Sequence, residues 1–461
     1  MSLFGRRVIY TATEEITPEN VMQELYKALT VHAQNSMEID YLYKYFRGNQ
    51  PILSREKDVR PEICNKIVEN HAQEIVNFKT GYLLGEPCSY VRRGDDDSAG
   101  DKVRMLNDIM FAEDKASHDR ELAQWMHICG VGIRMAMPDD GRSEDESPIE
   151  IDTLDPRYAF VVYWSGFGKR PVMGVKYVKT EHGDTVYTVY TPKWIFDICG
   201  SSITHSDGNP IGMIPMFEYA LNPERLGSFE KVVPMLDALN NLASNRLDGV
   251  EQFIQAIMVF ENCDIDQELF EKMKQMGALK VKSDASCPGK VYYMVEQLDQ
   301  SQVQQLVDYI YSQVLTICGM PSTTKGGTST SDTGSAVILR DGWQQAEACA
   351  RDTELMFKRA EKQFLKLALK ICKESGSMDL RLSNVEIKFS RRNTDNLLTK
   401  TQALLHMLEA GIAPAVAVAT CGLWSDPADV ASQSFEFLRK WDYEEPIDET
   451  ISESIENTGT A

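Results

Sequence analysis

Apolar positions along the chain fall into blocks of different period. Over the first 90 residues the spacing is helical. Ile63, Ile67, His71, Ile75 and Phe78 recur at three- and four-residue steps after Pro61, which suits a first turn, and Gly81 with Gly85-Glu-Pro87 supplies the stop. His71 on that stripe reads as a packed side chain rather than a catalytic one. Residues 105 to 135 continue the helical pattern. From Ile149 the period shortens: Phe160-Val-Val-Tyr-Trp164, Gly174-Val-Lys-Tyr-Val178, Thr185-Val-Tyr-Thr-Val-Tyr190 and Trp194-Ile-Phe-Asp-Ile198 are β-branched or aromatic runs divided by Gly, Pro, Asp and Lys. They predict an antiparallel meander of roughly five-residue strands. Trp164 and Trp194 are read as core of those strands rather than as a platform for bases.

After Pro223 the helical period returns. Leu236, Leu239, Ala243, Leu247, Val250, Ile254 and Ile257 form one apolar stripe, and Val303, Leu306, Ile310, Val314 and Ile317 a second. Between them, residues 258–297 hold short mixed segments, a small α/β insert between two long helices. Gly319-Met-Pro-Ser-Thr-Thr-Lys-Gly-Gly-Thr-Ser-Thr-Ser-Asp-Thr-Gly334 is low in complexity and predicts a mobile loop. Beyond it, Ala336, Leu339, Trp343, Ala346, Ala350, Thr353, Phe357, Ala360, Phe364, Leu367 and Ile371 keep the three-four alternation. A helix over 335–374 would be on the order of 60 Å long, with Gly342 offering a place to bend. A strand at 385–390 and helices over 396–410, 413–421 and 426–440 follow. The acidic segment from Trp441 onward, with no basic residue, predicts disorder. The sum is an α+β chain, mainly helical.

Composition narrows the classes. The 461 residues suffice for two to four packed units at roughly 100 to 200 residues each. Lys plus Arg number 48 against 69 Asp plus Glu, a net charge of −21. Such a surface repels phosphate unless basic groups are concentrated locally, which argues against a general nucleic-acid coat. With no signal-like run and no stretch of the ~20 apolar residues a span needs, the expectation is a soluble, non-secreted protein that meets no membrane. Ten scattered cysteines without a C-x-x-C pair read as reduced core thiols rather than a zinc site.

Catalytic signatures are missing from the sequence. Gly319 to Lys325 lacks the glycine before the lysine that a phosphate-binding loop needs; Gly130-Val-Gly132 fails at the third glycine of a dinucleotide fingerprint. There is no H-E-x-x-H or G-x-S-x-G, and the seven histidines are far apart, so no metal, cofactor or catalytic residue is proposed. Asp95 to Asp97 and the pair Asp139 and Asp140 sit in polar turns and read as solvated surface. The expectation is a non-enzymatic builder of assemblies.

Three motifs carry a resemblance. Tyr41-Leu-Tyr-Lys-Tyr45-Phe-Arg-Gly48-Asn-Gln50-Pro-Ile52, Asn65-Lys-Ile-Val-Glu-Asn70 and Lys79-Thr-Gly81-Tyr82-Leu-Leu-Gly85-Glu-Pro87 resemble the N-terminal third of tailed-bacteriophage portal proteins (head-to-tail connectors) of siphophage type. Ile214-Pro215 with Phe217 and Asn222, then Asp237-Ala-Leu-Asn240-Asn-Leu-Ala-Ser244-Asn-Arg-Leu-Asp248, is similar to the family's approach to its stem helix. One departure is Gly334-Ser-Ala-Val-Ile-Leu-Arg340, where the family often has Ser-Gly-x-Ala-Leu-Lys.

The resemblance implies a portal fold: wing at 1–227 with the strand near 385–390, stem helices at 228–257 and 298–319, clip at 258–297, tunnel loop at 320–334, long wing helix at 335–374 and crown at 396–440. It implies a homo-oligomeric ring, typically of twelve subunits, at one capsid vertex of the virion, assembled in the bacterial host cytoplasm. Double-stranded DNA, read without sequence preference, would be packaged through its channel by the terminase large subunit and later ejected. Head-completion or adaptor proteins, capsid and scaffolding proteins would be further partners. On the tunnel loop, Thr323, Thr324, Lys325, Gly326, Gly327 and Thr328 would face DNA, and Lys272, Lys274, Lys280 and Lys282 would lie at the partner-binding clip; the alternative for each lysine is a solvated surface group. Two other readings remain open at this point: a nucleic-acid-processing enzyme with an unrecognised site, and a monomeric helical scaffold.

Overall fold

The four β-branched runs become the middle four strands of a six-stranded sheet. In the computed structural model, which describes residues 5–438 apart from 59, 94–97, 140–146, 182, 255–256, 262–289, 295–299, 322–341, 392–396 and 425–426, the chain runs β1 (Ile9–Thr11), α1 (Val21–Phe46), α2 (His71–Leu83), β2 (Ser89–Arg92), α3 (Ser98–Ala112), α4 (Lys115–Cys129), β3 (Val131–Pro138) and β4 (Ile149–Leu154). Then come β5 (Ala159–Trp164), β6 (Pro171–Lys179), β7 (Thr185–Tyr190), β8 (Trp194–Cys199), β9 (Ser202–Gly208), β10 (Met216–Ala220), α5 (Val233–Ile254), β11 (Ile257–Glu261) and β12 (Lys290–Met294). The last described elements are α6 (Gln300–Ile317), α7 (Trp343–Glu374), β13 (Val385–Lys388), α8 (Leu397–Glu409), α9 (Pro414–Cys421), α10 (Pro427–Gln433) and α11 (Phe435–Leu438).

Two units divide the chain: one comprises Met1–Leu42, Ile75–Glu230 and Gly319–Ala461, the other Tyr43–Glu74 and Lys231–Cys318. In the first, β5 to β9 form the expected antiparallel meander, and β1 adds to β5 in parallel. Phe160, Val162, Val175, Val189 and Phe196 pack with Val21, Leu25 and Ala28 of α1. Ala159, Val161 and Tyr190 point the other way, against Ile133, Met135 and Met216 of a three-stranded sheet ordered β10-β3-β4. Alternate residues of β5 thus meet different cores, and the strand reads as a nearly unbroken apolar run. Trp164 and Trp194 pack at the edge of this core.

The largest core lies under α7. Phe357, Phe364, Leu367 and Ile371 of the expected stripe are buried among Leu106 of α3, Met126 of α4, and Phe217 and Tyr219 of β10. Here β2 pairs with β13, closing the strand expected near 385.

Several expectations differ from the structure: Ile257, placed on the α5 stripe, opens β11, and the helix expected over 426–440 is two, α10 and α11. Helix α2 begins at His71, and residues 64–70 are not helical; their backbone is claimed by side chains of α5, as shown below. Residues 131–135 are strand, because Gly130 takes a left-handed conformation (φ 84°) that ends α4, its N–H donating to the Met126 carbonyl at 2.8 Å. Gly342 does not bend α7; it precedes the helix, with φ 81°. The tail from Trp441 lies outside the described residues, as do Asp95 to Asp97 and Asp140.

Candidate functional site

Thr323, Thr324, Lys325, Gly326, Gly327 and Thr328 lie outside the described residues, and so do Lys272, Lys274, Lys280 and Lys282. The structure describes what holds both segments. In the first unit the chain leaves at Pro321 and returns at Gly342. A Cβ placed on Gly342 would lie 3.7 Å from the Pro321 Cα and 3.9 Å from the Met320 carbonyl oxygen, so the two ends meet. Gly319 before them also has positive φ (62°), and a Cβ there would come within 2.5 Å of the Cys349 sulfur. The Gly319 carbonyl accepts from Lys79 Nζ at 3.5 Å.

Aromatic rings clamp the start of α7. Trp343 sits 6.1 Å from Phe78 and 5.9 Å from Tyr82, centroid to centroid. The Tyr82 hydroxyl donates to Glu347 at 3.1 Å, and Arg391 donates to Glu347 at 3.0 and 3.1 Å while pairing with Glu354 at 2.9 Å. Burial pushes the Glu347 carboxyl up, but Arg391 and Arg351 outweigh it and hold it below its ordinary range. The Lys79-Thr-Gly-Tyr motif is thus the footing of the 322–341 segment.

In the second unit, α5 carries two stripes. Leu236 and Leu239 are buried, whereas Leu247 and Val250, farther along the apolar stripe, are 38% and 41% exposed. On α6, Val314 and Leu315 are buried, and Leu306, Tyr309 and Ile317 are exposed at 47%, 63% and 53%. The apolar surface continues beyond what the unit itself covers. The pair is also poor in cations: α6 has Asp308 as its sole charged residue, and the one basic residue of α5 is Arg246, donating to Gln304 at 2.7 Å. Between the helices, β11 and β12 pair antiparallel, Ile257 opposite Met294 and Glu261 opposite Lys290.

The other stripe of α5 is polar and buried. Asn240, Ser244 and Asp248 accept from the backbone N–H groups of Glu69, Ile67 and Asn65 at 2.8, 3.0 and 2.8 Å. Four helical residues rise about 6 Å and two extended residues about 6.6–6.8 Å, so an i, i+4, i+8 stripe can serve alternate amides of a segment running the opposite way. Asp248 also accepts from Asn65 Nδ2 at 2.9 Å and pairs with Arg55 at 3.1 Å and Lys57 at 2.5 Å. Gln50 joins in, accepting from Asn240 at 2.5 Å and donating to Asn70 at 3.0 Å, and Tyr45 donates to Asp237 at 2.8 Å. The residues that carry the resemblance are largely this ladder. Periodicity marks the α5 half of it, since Asp237, Asn240, Ser244 and Asp248 are spaced like the apolar stripe, but not the distant segment it serves.

A buried charge cluster in the first unit was not legible beforehand. Arg134 of β3 donates to Glu361 of α7 at 3.0 Å and to Asp119 of α4; Lys115 pairs with Asp119 at 2.6 Å and Glu361 at 2.9 Å. The hydroxyls of Tyr90 and Tyr219 donate to Glu361 at 2.5 and 2.6 Å. Burial pushes the Glu361 carboxyl up, yet Lys115, Arg134 and the two hydroxyls pull harder, and it rests at about 2. Two cations balance two anions with every carboxylate oxygen engaged, so the cluster fastens α4, β3 and α7, and through the tyrosines β2 and β10, and has no open coordination position for chemistry.

Among the described residues no group of three or more His, Cys, Asp and Glu could hold a metal ion, and no helix is long and apolar enough to cross a membrane. The eight described cysteines are free thiols; burial pushes Cys129 up to about 12 and Cys372 to about 11, away from nucleophilic use.

No curated protein matches the chain. Solved structures similar to it include the two that follow. "Neck of empty GTA particle computed with C6 symmetry" is 12% identical over 78% of this chain and 88% of that one, with a TM-score of 0.44. "Virion of native gene transfer agent (GTA) particle" is 12% identical over 87% and 93%, with a TM-score of 0.40. The family model for "Phage portal protein, SPP1 Gp6-like" matches residues 27–433. Since that match runs from within α1 to the end of α10 and takes in the ladder, the helix pair and the footing of the loop, the protein belongs to the phage portal family of SPP1 Gp6-like type.

Proposed function

We propose that copies of this chain close into a ring, with twelve subunits the expected number, at one capsid vertex of the virion, and that double-stranded DNA passes through it during packaging and ejection. The observation that carries this reading is the uncovered apolar surface of α5 and α6 on a helix pair with a single basic residue. Apolar side chains at helical spacing favour burial against the next copy, head to tail around an axis. A wall almost without cations lets a polyanion slide, because few counterions are released and little binding energy holds the duplex in place. In this reading 1–227 with β13 corresponds to the wing, 228–257 and 298–319 to the stem helices, 258–297 to the clip, 320–334 to the tunnel loop, 335–374 to the wing's long helix and 396–440 to the crown. Thr323 to Thr328 face DNA, with Lys325 as the cation. Lys272, Lys274, Lys280 and Lys282 form part of the clip surface that meets the terminase large subunit and head-completion adaptors; capsid and scaffolding proteins meet the outside of the ring. No catalytic step is assigned.

Ring formation is tested by changing Leu306 and Tyr309 together to aspartate. Both are exposed in the single subunit, so the fold is expected to persist while light scattering falls from a ring of roughly 600 kDa to one subunit. A ring that survives the double change overturns the interface. Two charge reversals probe the parts that touch partners: Lys325→Glu is expected to shorten or release packaged DNA, and reversal of the four clip lysines to weaken adaptor and terminase binding in pull-down. Unaltered DNA length, or unaltered binding, removes the corresponding role.

A further inference from the structure

A cationic cleft in the first unit stands out on a chain of charge −21. About 490 Å³ in volume, it lies between β1, the β5–β6 turn, β10 and α7, and Lys169, Arg170, Arg225 and Arg359 line it against one acid, Glu218. Arg225 is 9% exposed and pairs with Glu218, its Nε and Nη1 buried beneath the cleft wall. Arg170 is engaged by Glu14 and stacks on Trp164, and Lys169 lies 5.5 Å over the ring of Tyr10. The turn that supplies both residues also holds up Phe167, completely exposed. Against the cleft lies a second hollow of about 250 Å³, apolar in its lining through Val161, Met213, Ile214 and Phe217, and sharing Tyr163, Glu218 and Gln363 with the first. The two together make a groove with apolar and cationic halves.

Such a groove fits a peptide in which carboxylates alternate with bulky apolar side chains. The chain contains one: Trp441-Asp-Tyr-Glu-Glu-Pro-Ile-Asp-Glu-Thr-Ile451 has five acids, no base, and Trp441, Tyr443, Ile447 and Ile451 between them. We propose that this C-terminal segment docks in the groove, its carboxylates on the exposed Lys169 and Arg359 and an apolar side chain in the adjoining hollow. Duplex DNA would use the cations but leave the apolar half unfilled, so the peptide is the better match. The assignment is independent of ring formation.

Hydrogen exchange on the full-length protein tests it. At about 0.1 M salt, amides of 441–451 are expected to exchange about tenfold more slowly than in Lys169→Glu/Arg359→Glu, two exposed positions whose change spares the fold; at about 1 M salt, where the screening length falls to roughly 3 Å, most of that difference is lost. Reciprocally, neutralising Glu444, Glu445, Asp448 and Glu449 to glutamine speeds exchange in the 165–171 turn. Equal exchange of the segment in the parent and the double variant overturns the proposal, as does free exchange in the parent. Protection of the 165–171 turn by added duplex DNA, with no change in the segment, assigns the cleft to nucleic acid instead and equally overturns it.

Discussion

Replacing Glu361 by alanine is expected to destabilise the first unit by about 3–5 kcal/mol, the usual consequence of stranding buried charge. The carboxylate is fully enclosed and serves four donors: Arg134, Lys115 and the hydroxyls of Tyr90 and Tyr219. Its loss leaves two buried cations sharing Asp119. Urea titration followed through the tryptophans of this unit reads the effect. Arg134→Met with Glu361→Leu removes one charge of each sign and is expected to cost less than the two single changes added together; full additivity would mean the groups do not act as a cluster.

The same group sets an acid limit. With its carboxyl depressed from 4.5 to about 2, Glu361 contributes its full stabilisation above about pH 4.5. That contribution, roughly 3 kcal/mol, is lost progressively as pH falls toward about 2. Glu361→Gln keeps the shape without the proton site, so its stability should fall less steeply across this interval; an identical slope would assign the acid sensitivity to other carboxylates.

Asp248→Ala is expected to cost the second unit about 3 kcal/mol. One carboxylate there satisfies the backbone and side-chain amides of Asn65 and balances Arg55 and Lys57. Without it the half-buried Asn65 amide has no acceptor and two cations lose their counterion, so the 55–67 segment should detach from α5 before the helices melt. Limited trypsin digestion at Arg55 and Lys57 would report the detachment. Leu247→Ala, on the exposed stripe, should change single-subunit stability by about 0.5 kcal/mol or less. If the two variants were equally stable, the ladder would not be what holds this segment.

Much of the fold is legible where one local cause decides the element. The meander follows from β-branched runs between turn residues, and α7 from its unbroken alternation of small and large apolar positions. Residues 64–70 mislead because Ile63, Ile67 and His71 have helical spacing, while the winning interaction comes from Asn240, Ser244 and Asp248, some 170 to 180 positions away. The cluster around Glu361 is opaque for the same reason: Lys115, Asp119, Arg134 and Glu361 come from three elements, and Glu361 is one of four glutamates in α7, with no local signal for which of them is enclosed. The exposed halves of the α5 and α6 stripes could be anticipated as apolar, but a stripe does not say whether its cover comes from the same copy or the next.

The meeting of Pro321 with Gly342 has an evolutionary consequence. Because the scaffold closes before and after the excursion, the intervening stretch behaves as a cassette whose length is uncoupled from the framework; each doubling costs only about 0.6 kcal/mol in closure entropy. Insertions and deletions there are nearly free of folding penalty, so the stretch can change in length between lineages while the surrounding architecture stays unchanged.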